Sequence, residues 1–459
     1  MDRNASKTPD PLPFPAWQAL APAAAARTVQ ERIAALPPPL QRAAVTWVKP
    51  EAELAKELEH GGSGSRPTAA GREPSPPALN GIPYFLKDLF DLAGVPTRAG
   101  STFLHLIRDL PARDSQIVGR LAQAGAACAG KTHLVEFASG LTGENPHYGD
   151  CPHPHFPDRL TGGSSSGSAA LVAAGVAPLA IGTDTGGSVR VPAAWCGLYG
   201  FRLTPGDPLI SDAFPLAPTL DTAGWFTANA GDMLATWRAI AGRASPPDEP
   251  TLKRLSAPAH PEDSPYPKPR GCYLNARPLV PDMDPAVATA CDYAAASLSA
   301  HADPVAEASL ILSWHHAVES YITIGMSEAH AVHRNWLAPY RENYDPVIWR
   351  RFTDAGQFPV ADITRARERL ADIRSVWRDF FRAYDFLVLP AVPCGAPTKA
   401  EATPELRRNI LTLTAPASLG GLPVLSIPVR LPSGLTAGLQ VIVPSVDSPA
   451  VPWLLDHIR

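Results

Sequence analysis

Lysine is scarce in this chain. Lys7, Lys49, Lys56, Lys87, Lys131, Lys253, Lys268 and Lys399 are the only ones in 459 residues, and arginine carries most of the positive charge. A lysine inside an apolar stretch stands out against that background. The six cysteines, Cys128, Cys151, Cys196, Cys272, Cys291 and Cys394, include no C-x-x-C pair. A disulfide framework does not fit a chain of this size, and a reducing cytoplasm does. No segment reaches about 18 uninterrupted apolar residues, the length a membrane-spanning helix needs. The fairly apolar run Phe14 to Ala26 is broken by Pro15, Gln18 and Pro22 and follows Asp10 rather than a basic cluster, so it reads as a surface helix and not as a signal peptide. There is no internal repeat of fixed period. There is also no G-x-x-x-x-G-K-[ST] loop to hold nucleotide phosphates. The formal net charge of −4 gives no reason to expect direct nucleic-acid binding.

What is present is an ordinary globular balance, 45% hydrophobic and 18% charged, enough to bury a large core. The 34 glycines and 52 prolines are many, but fewer than disorder throughout would require. Hydrophobic spacing predicts helices over Ala23 to Leu36, Glu51 to His60, Ser115 to Ala124 and Ser168 to Ala177. Buried strands are expected at Ile82 to Leu86, which delivers Lys87 at its end, and in the run APLAIGTD that closes on Asp184. Late strands are expected at Asp385 to Pro390, Leu422 to Val429 and Leu439 to Val443. The stretch from Met233 to about Tyr384 reads as mostly helical, with Pro-rich breaks between Ser245 and Arg270. Gly61 to Pro77 is Gly, Ser and Pro punctuation and reads as a mobile loop. The expected organisation is a helical extension over residues 1–60, a flexible loop over 61–79 and the main domain over 80–459, together one structural unit. The alternation of strand and helix points to an α/β sheet covered on both faces.

Two stretches carry chemistry: Thr161 to Ala170 (TGGSSSGSAA) and Gly182 to Ala194 (GTDTGGSVRVPAA). Gly-rich strand exits with exposed amides can hold an anion or a developing oxyanion. Serines among glycines supply a nucleophile beside such donors, and acyl transfer then still needs a base. No histidine falls near either loop in a recognisable pattern. A buried lysine can serve if desolvation keeps it neutral. The residues alone leave two serines open. Gly163 to Gly167 (GSSSG) matches G-x-S-x-G literally, which would make Ser165 the nucleophile of an α/β-hydrolase esterase. That reading lacks a partner histidine and leaves the TGGS turn unexplained.

The motifs GIPYFLKDLFDLAGVPTRAGS, GAACAGKTHLVEFASG, GGSSSGSAA, GTDTGGSVRVPAAWCGLYGF and GGLPVLSIPV with a trailing GLQVIVP occur in order. Together they resemble the amidase signature family, from about Gly81 to Pro444. The resemblance implies a single α/β/α domain with a mixed central sheet flanked by helices. It implies hydrolysis of a carboxamide, with no cofactor and no metal. It also implies a Ser–cis-Ser–Lys triad: the lysine falls on Lys87, the serine held by a cis peptide on Ser164 and the nucleophile on Ser188. The oxyanion hole falls on the backbone N–H groups of Thr185, Gly186, Gly187 and Ser188, and acyl-site lining on Ser139 and Gly140. Ser165 becomes a hydrogen-bonding neighbour of the triad. A lysine base implies activity that rises toward alkaline pH. The chain departs from the common pattern at Ser166, where a glycine is usual, at Arg202, where lysine is usual, and over Gly206 to Pro218.

The expected partner is a small-molecule amide, with no membrane, and a homodimer is left open. A second reading is a glutamine-hydrolysing A-type subunit of a tRNA-dependent amidotransferase complex, and a third is a non-catalytic relative used for binding. Asp184 and Arg190 are expected to orient the nucleophile turn rather than react. Cys151, His153 and His155 lie in a proline-stiffened loop without a second ligand pair and are not read as a metal site. His315, His316 and Glu319, and His330 with His333, are expected to be solvated or to line a substrate entrance. The substrate pocket is expected from Asp212 to Leu220 and Trp314 to Arg351, where Trp314, Tyr321, Trp336 and Tyr340 suit an aromatic wall or core packing equally.

Overall fold

The computed structural model describes residues 9–61, 77–241 and 268–458. Most of the loop expected over 61–79, and most of the Pro-rich breaks expected between Ser245 and Arg270, lie outside the described residues. The strands are β1 (Val45–Val48), β2 (Pro83–Lys87), β3 (Ala127–Thr132), β4 (Leu179–Asp184), β5 (Tyr199–Arg202), β6 (Thr222–Thr227), β7 (Gly271–Tyr273), β8 (Ala300–His301), β9 (Phe386–Pro390), β10 (Val424–Arg430) and β11 (Thr436–Ile442). They form one 11-stranded sheet in the order β1-β3-β2-β4-β6-β5-β10-β11-β9-β7-β8. The sheet is mixed. β2 runs parallel to both β3 and β4, and β7 parallel to β8 and β9, while the remaining pairs are antiparallel. Helices flank it, as the alternating pattern predicts.

β2, β3 and β4 are buried along their whole length, and β2 and the start of β4 accordingly read as apolar runs rather than alternating ones. The helix Ser166–Ala173 has every residue buried and contacts β2, β4 and β6. Its small side chains let its backbone pack close to the sheet, and a helix apolar all round belongs in a core. The N-terminal helices fall at Pro22–Ala34 and Glu51–His60, and the same segment also contributes β1 to the sheet edge beside β3.

The surface helix expected over Phe14 to Ala26 is corrected. Two helices, Phe14–Gln18 and Pro22–Ala34, occupy this stretch, and Phe14 and Trp17 are buried in the core. Pro22 starts a new helix because its missing N–H costs nothing at a first turn. The Phe14 amide is tied to the carboxylate of Asp232, donating to both oxygens at 3.0 and 3.2 Å. Among the described residues no helix is long and apolar enough to cross a membrane.

Candidate active site

β2 carries Lys87 into the middle of the sheet, where its side chain is wholly buried. Its Nζ lies 2.8 Å from Ser164 Oγ, 2.9 Å from Ser165 Oγ and 2.7 Å from Thr183 Oγ1. All three partners are hydroxyls, and no carboxylate touches the amine. Burial therefore dominates, and lowers Lys87 to about 7 although the more distant Asp184 and Asp221 charges pull the other way. A neutral amine has two N–H donors and one lone pair, so one of the three hydroxyls must donate to it. The Ser165 hydroxyl is committed elsewhere: it donates to the Thr183 carbonyl at 3.1 Å and accepts from the Thr183 amide at 3.3 Å. Ser165 thus acts as the expected neighbour, accepting from Lys87.

The Gly162–Ser164 segment is held by the stretch that follows β3. Gly163 N–H donates to the Leu141 carbonyl at 2.8 Å, and the Ser164 carbonyl accepts from Val135 N–H at 3.1 Å. The peptide between Gly163 and Ser164 is cis, as the family resemblance implies for the middle serine. Ser139, at the far end of the same supporting segment, is buried, and its Oγ has no partner among the described residues. The Ser139 carbonyl accepts from Arg351 Nη1 at 2.9 Å.

β4 ends on Asp184 and releases the turn Thr185–Ser188 into the helix Arg190–Cys196. Ser188 is 2% exposed. The Asp184 carboxylate is the hub of this turn. It accepts from the amides of Gly187 (2.9 Å), Val189 (3.0 Å) and Arg190 (3.2 Å), from Arg190 Nε (3.1 Å) and Nη2 (2.9 Å), and from Arg202 Nη1 (3.0 Å). Burial alone would raise this carboxyl, but Arg190 and Arg202 outweigh it and hold the group well below the usual carboxylate range. The expected Asp184–Arg190 pair is present, and Arg202 joins it. The same Arg202 Nη1 also donates to Ser418 Oγ at 3.0 Å.

This network reaches one of the four amides expected as oxyanion donors. The Gly187 N–H already points at Asp184, whereas the amides of Thr185, Gly186 and Ser188 have no acceptor among the described residues. The Thr185 hydroxyl donates to Asp221 Oδ1 at 2.6 Å, and Asp221 Oδ2 accepts from the Leu216 and Ala217 amides. Burial raises the Asp221 carboxyl to about 6 in spite of those hydrogen bonds. Gly186 is compelled by space. A Cβ there would stand 2.2 Å from the Tyr321 hydroxyl oxygen, so Tyr321 lies directly over the turn.

The helical region divides the aromatic candidates. Tyr321 reaches the turn, Trp314 packs on Trp377 with centroids 5.5 Å apart, and Trp336 and Tyr340 belong to a separate cluster with Phe103, Phe137, Phe214 and His333. The solvated or entrance-lining role expected for His333 is corrected. It is fully buried in that cluster, 4.4 Å from the Phe137 centroid, and burial lowers it to about 3. His330 contacts the Phe352 carbonyl through Nδ1, and Glu319 pairs with Arg408. His153 and His155 turn to the Trp195 and Ala173 carbonyls. Among the described residues no group of three or more His, Cys, Asp or Glu side chains is placed to hold a metal ion. A cavity of about 870 Å³ lined by Cys196, Tyr199, Asn229 and Arg430 contains none of the residues gathered round Lys87.

The Amidase family profile matches residues 24–451. The chain belongs to the amidase family. AtzE of Pseudomonas sp. (strain ADP), which forms part of a 1-carboxybiuret hydrolase, is 33% identical over 415 residues, covering 82% of this chain and 81% of that protein. The A-type subunit of the glutamyl-tRNA(Gln) amidotransferase of Symbiobacterium thermophilum is 31% identical over 419 residues, covering 85% and 83%. A solved amidase crystal structure superposes with a TM-score of 0.78 at 27% identity, covering 97% of this chain and 99% of that one. The protein is accordingly an amidase, a hydrolase acting on amides.

Thr183, Asp221, Tyr321 and Thr414 complete the surroundings of Lys87 and of the Thr185–Ser188 turn. Thr414 Oγ1 donates to the Gly186 carbonyl at 2.6 Å. Sequence reading missed Thr183, Asp221 and Thr414. Thr183 could have been found, because it precedes Asp184 on a strand that must lie beside the one bearing Lys87. Thr414 carries no comparable signal, since it arrives from a helix more than two hundred residues downstream.

Proposed function

We propose that this amidase hydrolyses a carboxamide through an acyl-enzyme on Ser188, with Lys87 and Ser164 relaying protons. One observation carries the reading: the Lys87 amine is buried, bounded only by hydroxyls, and one of these is Ser164 Oγ at 2.8 Å. In the neutral form its lone pair accepts the Ser164 proton while Ser164 Oγ accepts that of Ser188. Ser188 Oγ bonds to the amide carbon, and the carbonyl oxygen takes up the negative charge. The Thr185, Gly186 and Ser188 amides stabilise that oxyanion, each contributing about 3 kcal/mol. Gly187 instead spends its N–H on Asp184 and keeps the turn in shape. Collapse breaks the C–N bond, and the proton on Lys87 returns through Ser164 to the leaving nitrogen. Water then attacks the acyl-enzyme by the same relay, releasing the acid and regenerating Ser188. Ser139 and Gly140 line the acyl side, where the unpartnered Ser139 hydroxyl is available to a polar group of the substrate.

The test is labelling by a fluorophosphonate probe, mapped by mass spectrometry, in wild type and Lys87→Ala. Label on Ser188 that falls sharply in Lys87→Ala is the expected result. Label on Ser165 would overturn the assignment of the nucleophile, and equal labelling of both proteins would remove Lys87 as base. A second reading, a glutamine-hydrolysing component that works within a complex, is favoured by the likeness to the amidotransferase of Symbiobacterium thermophilum. Glutamine hydrolysis together with co-purifying partners would support it, and a stable lone protein inert to glutamine would remove it.

A further inference from the structure

In a trans peptide the carbonyl and the N–H lie in one plane and point to opposite sides, so a hydrogen bond on the carbonyl aims the N–H that follows it. The peptides of the Asp184–Ser188 turn are all trans. The Asp184 carbonyl accepts from Thr222 Oγ1 at 2.9 Å, which aims the Thr185 N–H. The Gly186 carbonyl accepts from Thr414 Oγ1 at 2.6 Å, and the Gly187 N–H of the same plane donates to Asp184 Oδ1 at 2.9 Å. The Gly187 carbonyl accepts from the Val191 N–H at 2.7 Å, which aims the Ser188 N–H. The plane between Thr185 and Gly186 is the exception. Neither its carbonyl nor its N–H meets a hydrogen-bonding partner among the described residues.

That plane is held from its side chain instead. The Thr185 hydroxyl donates to Asp221 Oδ1 at 2.6 Å, and both residues are buried. An ionised carboxylate only accepts, so the direction of this bond is fixed. Asp221 stands just before β6, whose register with β4 sets Thr222 opposite Asp184, so the anchor comes from the strand beside the turn's own. Asp221 Oδ2 accepts from the amides of Leu216 at 2.9 Å and Ala217 at 3.0 Å. Among the described residues no basic side chain forms an ion pair with this acid, whereas Asp184 and Asp88 each have one. A buried charge without a cation is costly to keep, and a neutral oxygen would cap the two loop amides as well. The remaining bond, to Thr185, is the one that asks for an acid. On the other side of the turn Tyr321 closes over Gly186, where a Cβ would stand 2.2 Å from its hydroxyl oxygen.

We infer that Asp221 is a positioning residue for the reaction: through the Thr185 hydroxyl it sets the Thr185–Gly186 peptide plane, and so aims the Gly186 N–H at the developing oxyanion. The inference rests on the Ser188 reaction site proposed above and adds the group that orients one of its donors. Asp221 acts through Thr185 and touches no reacting atom.

The experiment follows inactivation of the full chain by a fluorophosphonate, read as the rate constant kinact and the half-saturating concentration KI, with the labelled residue mapped by mass spectrometry. In this reaction Ser188 Oγ bonds to phosphorus, fluoride leaves, and the phosphoryl oxygen takes the oxyanion's place, so kinact reads the donors. Asp221→Asn keeps an oxygen for the two loop amides but turns an N–H toward Thr185, whose hydroxyl must then accept. Thr185→Val removes the hydroxyl at nearly the same shape. Each should lower kinact about 10- to 100-fold, less than the loss of a donor outright, with KI within about twofold of wild type. Thr185→Ser should keep most of the wild-type rate. The double variant should fall no further than the worse single one, because both changes break one link. Glu328→Ala loosens the same loop elsewhere: Glu328 accepts from the Thr219 amide at 3.0 Å and from its hydroxyl at 2.6 Å. It should leave kinact within about twofold of wild type. Losses that multiply in the double variant overturn the inference, and an equal loss in Glu328→Ala reduces Asp221 to a loop anchor and overturns it too. Label away from Ser188 in wild type defeats the reaction site and the inference with it. Label on Ser188 with kinact unchanged in Asp221→Asn or Thr185→Val defeats the inference alone.

Discussion

Lys87 and Lys131 are both fully buried and sit on adjacent parallel strands, in the register Leu86↔Lys131 and Lys87↔Thr132. Their surroundings differ in one respect that decides their chemistry. Lys131 Nζ stands 2.5 Å from Asp88 Oδ1, off the line of an ideal hydrogen bond, and also donates to Thr97 Oγ1 and the Pro96 carbonyl. Lys87 has three hydroxyls and no acid. Asp88 follows Lys87 directly in sequence, yet it serves the other lysine, because successive side chains of an extended chain point to opposite sides. Burial by itself therefore does not make a base. A buried lysine beside a carboxylate has a counter-charge and braces the sheet, and one with hydroxyls alone gives up its proton near neutrality.

Exchanging the two lysines for methionine tests the contrast most severely. Lys87→Met should lower kcat/KM by about 10²–10⁴-fold, the range of general acid–base catalysis. Lys131→Met leaves Asp88 as an uncompensated buried charge and should destabilise the fold by about 3–5 kcal/mol in urea denaturation. The activity of its folded fraction should stay much closer to wild type than that of Lys87→Met. If the two substitutions had the same effect on kcat/KM, the distinction drawn between them would fail.

The pH dependence sharpens the same point. In the proposed relay the neutral amine is the active form, so kcat/KM should rise through about pH 7. Folded-state stability should rise as well between about 7 and 10.5, because across that window the unfolded chain holds a proton that buried Lys87 has shed. Below about 7 both states are protonated and the burial cost is complete. The urea midpoint of wild type should therefore climb between pH 7 and about 9.5, and the climb should be missing in Lys87→Met. The smallest effect is expected for Ser165→Ala. It removes one of three hydroxyls around Nζ and should cost about 1 kcal/mol in activity or stability, against the complete loss expected if Ser165 were the nucleophile.

What the sequence disclosed follows the same physics. Lys87 was legible because lysine is rare here and because an apolar run leads into it. β2 and β4 were legible because strands buried on both faces read as apolar stretches. The loops at Ser164 and Ser188 were legible through their glycines, which Tyr321 shows to be a matter of space at Gly186. The partners of those loops were not. Gly187 N–H could not be known to belong to Asp184 until the turn was drawn. His330 and His333 share a helical face, and only tertiary packing decided that one meets a backbone carbonyl and the other vanishes among aromatic rings. Phe14 and Trp17 misled because an interrupted apolar helix looks superficial until an anchoring group such as Asp232 is found 218 residues away.

The reach of Arg190 has a consequence for how the protein comes into being. Besides Asp184, this guanidinium binds the Thr414 carbonyl, Ser418 Oγ and Gln440 Oε1, the last 250 positions downstream. A growing polypeptide emerges from its N-terminus, so Ser188 leaves the ribosome long before the groups that square up its turn. Until β11 has been made, the nascent chain holds the proposed nucleophile without the scaffold that shapes its turn. The turn around Ser188 can be squared up only once β11 has joined the sheet.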